Sequence, residues 1–251
     1  YNKVVKMKKI KIKKVISVYF YFVALLLLVG CSSNSLAISE NYIIESNHDI
    51  DMFVLTDVHY LAKELHDQGD AFNKFIYTGD GKQIKYIEEI MEGLLLDVKV
   101  KNPDFLIISG DLTINGEVTS HKELSTWLSK IEDLGTTVYV IPGNHDINNP
   151  WARGFKGEKQ VYEKTVNPEE FAQIYSEFGY GEDLFRDEAS LSYLATPSED
   201  LWLMMLDTNI YDNNMTNGYP EAVGDISLDT YDWMEECFAL AREKDANIMV
   251  V

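Results

Sequence analysis

Residues 138–150 read VYVIPGNHDINNP: an apolar, β-branched run closing on Gly143, Asn144, His145 and Asp146. A buried strand that delivers flexible and polar residues at its end is placing them for chemistry. Working outward, MFVLT (52–56), DFLIIS (104–109), LWLMML (201–206) and NIMVV (247–251) have the same strand length, with apolar residues on both faces. Between them, Ile84, Ile87, Met91, Leu94, Leu95 and Val98 recur at helical spacing, as do Leu124, Trp127, Leu128, Ile131 and Leu134. Ser120 and Glu123 predict a capping box at the start of the second helix, and Gly135 a stop. This alternation implies an α/β layered fold whose sheets are covered by helices. No internal repeat interrupts it.

In such folds ligand-binding residues sit just beyond the carboxyl ends of strands. MFVLT is followed by Asp57-Val58-His59, FLIIS by Gly110-Asp111, and VYVI by the Gly143 to Asp146 run, so each strand stops on a metal-capable side chain. Asp and His suit Zn²⁺, Mn²⁺ or Fe, and Asn offers a neutral carbonyl oxygen.

In this order DVH, GD and GNHD resemble the first three motifs of the calcineurin-like metallophosphoesterases, over residues 50–251. The run GDLTINGE is similar to the cyclic-nucleotide phosphodiesterase branch and to bacterial phosphohydrolase lipoproteins. GNHD is the specific piece, since a given tetrapeptide arises by chance in about one chain of this length in a thousand. The resemblance implies a layered β-sandwich flanked by helices and two divalent metal ions (Mn, Fe or Zn). It also implies that Asp57 and His59 hold one metal, Asp111 bridges both and Asn144 holds the second. His145 would face the scissile phosphate and protonate the leaving group, with Asp146 orienting its imidazole. Two cations about 3.5 to 4 Å apart would activate water and clamp an in-line displacement, and imidazole suits proton donation at neutral pH.

The family's site needs further histidines, yet the five in this chain are His48, His59, His66, His121 and His145. The chain also stops inside the strand NIMVV. The expectation is a protein truncated at its C-terminus, whose printed part alone would be inactive; degeneration into a non-catalytic relative is the alternative.

Residues 1–31 carry seven lysines and no acid, and their apolar run VISVYFYFVALLLLVG ends at Cys31. Sixteen apolar residues suit a signal peptide better than a spanning helix, which needs about 20. Leu28-Val29-Gly30-Cys31 resembles a bacterial lipoprotein signal. The expectation is a signal peptide over 1–31 starting at Met7, lipidation of Cys31, a tether over 32–46 and a catalytic domain over 47–251. The protein would then sit in the bacterial cell envelope, held to the outer side of the membrane. Without the seven lysines, 15 basic residues face 41 acids, a formal charge of −26. That opposes a nucleic-acid partner, because such binders rely on basic surfaces. Cys237, within a helical pattern, reads as a small buried hydrophobe.

Weaker candidates lie off these strand ends. Asn115 could touch phosphate, although Asn115-Gly116 is also a turn signal and the turn leads. Arg153, Lys156 and Lys159 could grip phosphate, but a solvated loop is the plainer reading. Asp207 could approach the metals or form a turn. Gly79-Asp80 reads as a turn, and His48, His66 and His121 as surface residues. The long segment 60–82 reads as an inserted loop shaping the pocket. The function expected is hydrolysis of a small phosphodiester or phosphomonoester. A nuclease of the same superfamily and a non-catalytic metal- or phosphate-binding lipoprotein are the alternatives.

Overall fold

The computed structural model describes Ile44 and residues 49–79, 81–181 and 185–251. The expected signal peptide with Cys31, nearly all of the expected tether, His48 and Asp80 lie outside the described residues. Among the described residues no helix is long and apolar enough to cross a membrane.

The continuous apolar runs form two sheets. Strands β1 (Met52–Leu55), β2 (Phe105–Ser109) and β3 (Thr137–Ile141) make a parallel sheet in the order β1-β2-β3. Strands β6 (Phe185–Arg186), β7 (Tyr193–Ala195), β8 (Leu201–Met205) and β9 (Asn247–Val250) make a second sheet, antiparallel except for the parallel pair β8-β9. Alternation along β7 and β8 explains the layering. Tyr193, Ala195, Leu203 and Met205 join the core shared with β2 and β3. Leu194, Trp202 and Met204 turn the other way and meet Trp233, Cys237 and Ala241. Those three residues are spaced four apart on one face of helix α5 (Leu228–Lys244), and Cys237 is the buried hydrophobe its pattern predicts. The Tyr193 hydroxyl donates to the Val140 carbonyl at 2.8 Å, tying the two sheets together. The layered β-sandwich flanked by helices is therefore present.

Four local expectations need correction. β1 is not covered on both faces: it is a sheet edge, and Val54 is 61% exposed. The segment after His59 is not a bare loop. It contains helix α1 (Asp70–Thr78), which packs on the hairpin of β4 (Arg153–Lys156) and β5 (Lys159–Tyr162) through Phe72, Phe75 and Phe155. Helix α2 (Ile87–Lys101) comes next, and α3 (Val118–Glu132) begins at Val118 without a side-chain cap. Ser120 and Glu123 accept hydrogen bonds from the Ala62 amide (3.1 Å) and the Tyr60 hydroxyl (2.9 Å), so they pin the site loop and do not cap. His121, finally, is fully buried, beneath Phe171 and Tyr175 of the segment containing helix α4 (Pro168–Ile174).

Candidate metal centre

Because β1, β2 and β3 are parallel, their carboxyl ends open on one edge of the sheet. The loops leaving β1 and β2 run side by side: the Asp57 amide donates to Gly110 (3.2 Å), His59 to Asp111 (2.9 Å) and Tyr60 to Leu112 (2.9 Å). Asp57 (φ 55°), His59 (φ 46°) and Asp111 (φ 50°) all occupy the left-handed region. That conformation is uncommon outside glycine, and strain of this kind gathers at functional sites. One ligand atom from each of the three lies within 4.8 Å of the others.

The hydrogen bonds assign the His59 tautomer. Its Nδ1 lies 3.3 Å from the Thr113 carbonyl, which can only accept, so Nδ1 carries the proton. The Nε2 lone pair then points at Asp57 Oδ1 (3.5 Å) and Asp111 Oδ2 (3.7 Å). A lone pair and two carboxylate oxygens facing one another repel unless a cation lies between them. Metal-bound histidines characteristically give their other N–H to a carbonyl in this way. Burial first, and then the nearby Lys82 ammonium, hold His59 below the ordinary histidine range, which keeps it in the neutral, ligating form. The donor set therefore fits a divalent metal.

The turn after β3 approaches to atomic contact. A Cβ on Gly143 would land on the amide nitrogen and Oδ1 of Asp111, so only glycine fits there. The His145 amide donates to Asp111 Oδ1 at 3.1 Å, which fixes that carboxylate, and Asn144 lies half-buried in the same turn. The His145 ring sits edge-on to His59, with centroids 4.9 Å apart. Its Nδ1 donates to the Ile114 carbonyl at 2.5 Å, leaving Nε2 as the nitrogen that can take or give a proton.

Asp146 does not support that imidazole. Its fully buried carboxylate accepts from the backbone amides of Gly143 (2.7 Å), Leu112 (3.0 Å) and Thr113 (2.9 Å) and from the Thr113 hydroxyl (2.9 Å). It cross-links the loops carrying Asp111 and His145. Burial pushes its carboxyl up to about 7 against the pull of these donors. The ring's support is instead a backbone carbonyl, which no side-chain pattern reveals.

The weaker candidates divide. Asn115 is a buried turn residue: its amide donates to Glu117 Oε2 (3.1 Å), and Gly116 has φ 72°. Arg153 spends its guanidinium on the Trp151 carbonyl (2.5 Å) and Gln160 (2.9 Å), so the structure does not bring it to the metal-capable cluster; Lys156 and Lys159 are exposed. Asp207 forms a turn, accepting from the Asn209 amide (3.0 Å) and the Tyr211 hydroxyl (3.1 Å). His66 is no free surface residue, because it stacks on Phe72 at 4.0 Å. Sequence reading missed Glu117, whose buried carboxyl is pushed up to about 7 while it holds the Asn115 and Arg153 amides. The GDLTINGE run contains that acid, and its placement directly before an amphipathic helix was the available signal.

A stretch of 50 residues is 40% identical to a probable cyclic nucleotide phosphodiesterase of Synechococcus sp., covering 20% of this chain and 18% of that protein. A stretch of 46 residues is 50% identical to a probable cyclic nucleotide phosphodiesterase of Ruthia magnifica subsp. Calyptogena magnifica, covering 18% of each. The matched stretches thus span less than a fifth of either relative. A dimetal phosphatase from Danio rerio is similar in structure, with TM-score 0.47 and 12% identity over 80% of this chain and 68% of that one. The family model for calcineurin-like phosphoesterases matches residues 51–251, from the start of β1 through the metal-capable cluster and both sheets, and the chain belongs to that family.

Proposed function

We propose that the protein is a phosphoester hydrolase working through two divalent cations. The observation that carries this reading is the convergence of the Asp57, His59 and Asp111 ligand atoms, with the His59 lone pair facing two carboxylates. Asp57 and His59 would hold one cation, Asp111 would bridge, and Asn144 would reach the second. When bound, the metals supply Lewis-acid polarisation of the phosphoryl oxygens and a nucleophile generated from water at neutral pH. The chain's own residues position and move protons. His145, oriented through Nδ1 by the Ile114 carbonyl, presents Nε2 to protonate the departing oxygen. Asp146 and Gly143 keep the loops from β2 and β3 in register.

The substrate class follows from charge and from the relatives' names. A formal charge of −26 outside the first 31 residues disfavours polyanionic nucleic acid and leaves small phosphodiesters or phosphomonoesters. Cyclic nucleotides are the natural first diesters to assay, since two curated relatives are named probable cyclic nucleotide phosphodiesterases. The lysine-rich start, the apolar run over 15–30 and the Leu28-Val29-Gly30-Cys31 sequence support a place in the bacterial cell envelope, with acyl chains on Cys31 as the anchor, each buried methylene contributing about 0.8 kcal/mol. Cys31→Ala should then move it from the membrane to the soluble fraction.

Protein expressed from its full coding sequence should bind about two divalent ions per chain. It should hydrolyse bis(p-nitrophenyl) phosphate or p-nitrophenyl phosphate, lose that activity on chelation and regain it with Mn²⁺. Metal binding without hydrolysis of any phosphoester tested would replace this reading with a binding lipoprotein.

A further inference from the structure

A groove lies between helix α4 and the turn that joins β6 to β7. Its volume is about 860 Å³, within the range of small-molecule sites, and none of Asp57, His59, Asp111 or Asn144 lines it. The turn is a built one. Asp187 accepts from the Ala189 amide (2.9 Å), the Ser190 hydroxyl (2.6 Å) and, from α5, the Thr230 hydroxyl (2.7 Å), so that carboxylate is used inside the fold.

Arg186 lines the groove where this turn begins. Its backbone pairs with Tyr193 in the β6-β7 ladder, and its guanidinium lies over the Tyr180 ring, 5.4 Å from the centroid. Tyr180 is itself fixed, because its hydroxyl donates to the Leu191 carbonyl at 3.1 Å. Glu169, Glu188 and Asp212 also line the groove, yet among the described residues the guanidinium makes no hydrogen bond or ion pair. A guanidinium stacked on an aromatic ring, with its donors unspent, is a ready receptor for a carboxylate.

A counter-charge gathers at Tyr211, another lining residue. Burial and then Asp207 raise its hydroxyl most, but the charges of Asp212 and Glu169 reach it as well. That hydroxyl is spent on Asp207 (3.1 Å), so Tyr211 offers the groove ring surface and no free donor. Aromatic surface beside carboxylates suits an amine or quaternary ammonium. One arginine against Glu169, Glu188 and Asp212 also disfavours a wholly anionic ligand.

We propose that this groove is a second binding site, which takes a small zwitterion: its carboxylate on Arg186, and its amine or quaternary ammonium beside Tyr211, with Glu169 and Asp212 as counter-charges. The proposal does not depend on the metal chemistry, since the groove and the metal-capable cluster share no residue.

The probes are glycine betaine and L-alanyl-L-alanine, titrated by calorimetry into full-length protein, with acetate and choline as single-charge controls. At least one zwitterion should bind about tenfold or more tightly than either control; betaine would identify a quaternary ammonium ligand, the dipeptide a primary amine. Arg186→Met should weaken that zwitterion about tenfold, and Glu169→Gln combined with Asp212→Asn by several-fold. Glu169 and Asp212 are exposed, so the double variant should keep the wild-type unfolding midpoint, which separates lost binding from lost folding. Neither zwitterion binding more tightly than the controls, or an affinity unchanged in either Arg186→Met or the double variant, overturns the proposal.

Discussion

Gly143→Ala is expected to lower metal affinity and hydrolysis by about a hundredfold each, with less effect on the unfolding midpoint than on either. The new Cβ would overlap the amide nitrogen and Oδ1 of Asp111. Neither atom can yield cheaply. The amide belongs to a residue already held at φ 50°, and the carboxylate is fixed by the His145 amide. Relief requires the loops from β2 and β3 to separate by close to 1 Å, since the 2.2 Å contacts must open to at least 3.0 Å, and this pulls Asp111 away from His59. Losses of 10- to 100-fold in metal affinity follow from disturbing groups that orient ligands, and about 10²-fold in rate from displacements near 1 Å. Metal titration and steady-state hydrolysis of the full-length variant check this. Wild-type metal affinity in Gly143→Ala would mean that the two loops are not packed as described.

Acid sensitivity centred on His121 is the second large effect. Its Nε2–H donates to the Asp146 carbonyl (3.1 Å), and its Nδ1 accepts from the Tyr175 hydroxyl (2.8 Å), so the neutral ring is fully satisfied where no water reaches. Burial brings its pKa down to about 4. The unfolded chain binds a proton near 6.5, so between about 4 and 6.5 the unfolded state holds more protons and stability rises with pH. The contribution is complete above about 6.5 and lost as pH falls toward 4, on the order of 3 kcal/mol. Glu117 and Asp146, pushed up to about 7 by burial, act in the opposite sense: folded, they keep protons that the unfolded chain releases. The effect is therefore read as a difference. Urea unfolding at pH 7 and pH 4.5 should show His121→Gln losing about 2 to 3 kcal/mol less than the wild type over that interval. Equal losses would contradict a neutral, buried His121.

The central strands were legible because β2 and β8 carry continuous apolar runs that no helix of that length explains. β1 misled for the same reason: Met52 and Val54 are apolar, but the strand lies at a sheet edge, and edge position is a property of topology. Ser120 and Glu123 matched a capping pattern, yet tertiary partners at Ala62 and Tyr60 took those side chains, an outcome set by residues about 60 positions away. His121 looked solvent-facing for a related reason, since the rings that bury it come from the Phe171 to Tyr175 stretch, 50 residues on. The metal-capable residues themselves were readable from strand ends. What orients them was not: His59 and His145 lean on the carbonyls of Thr113 and Ile114, and carbonyls leave no trace in side-chain identity. Asp146 is adjacent to His145 in sequence but serves the loop at 112–113, because its side chain is drawn to three convergent amides.

The most direct measurement is the position of bound metal. Crystals of the full-length protein soaked in Mn²⁺ and measured for anomalous scattering should show a peak within about 2.3 Å of Asp57 Oδ1, His59 Nε2 and Asp111 Oδ2, with a second peak on the Asn144 side of Asp111. A Mn²⁺-saturated protein with no peak among those three atoms would contradict the assignment.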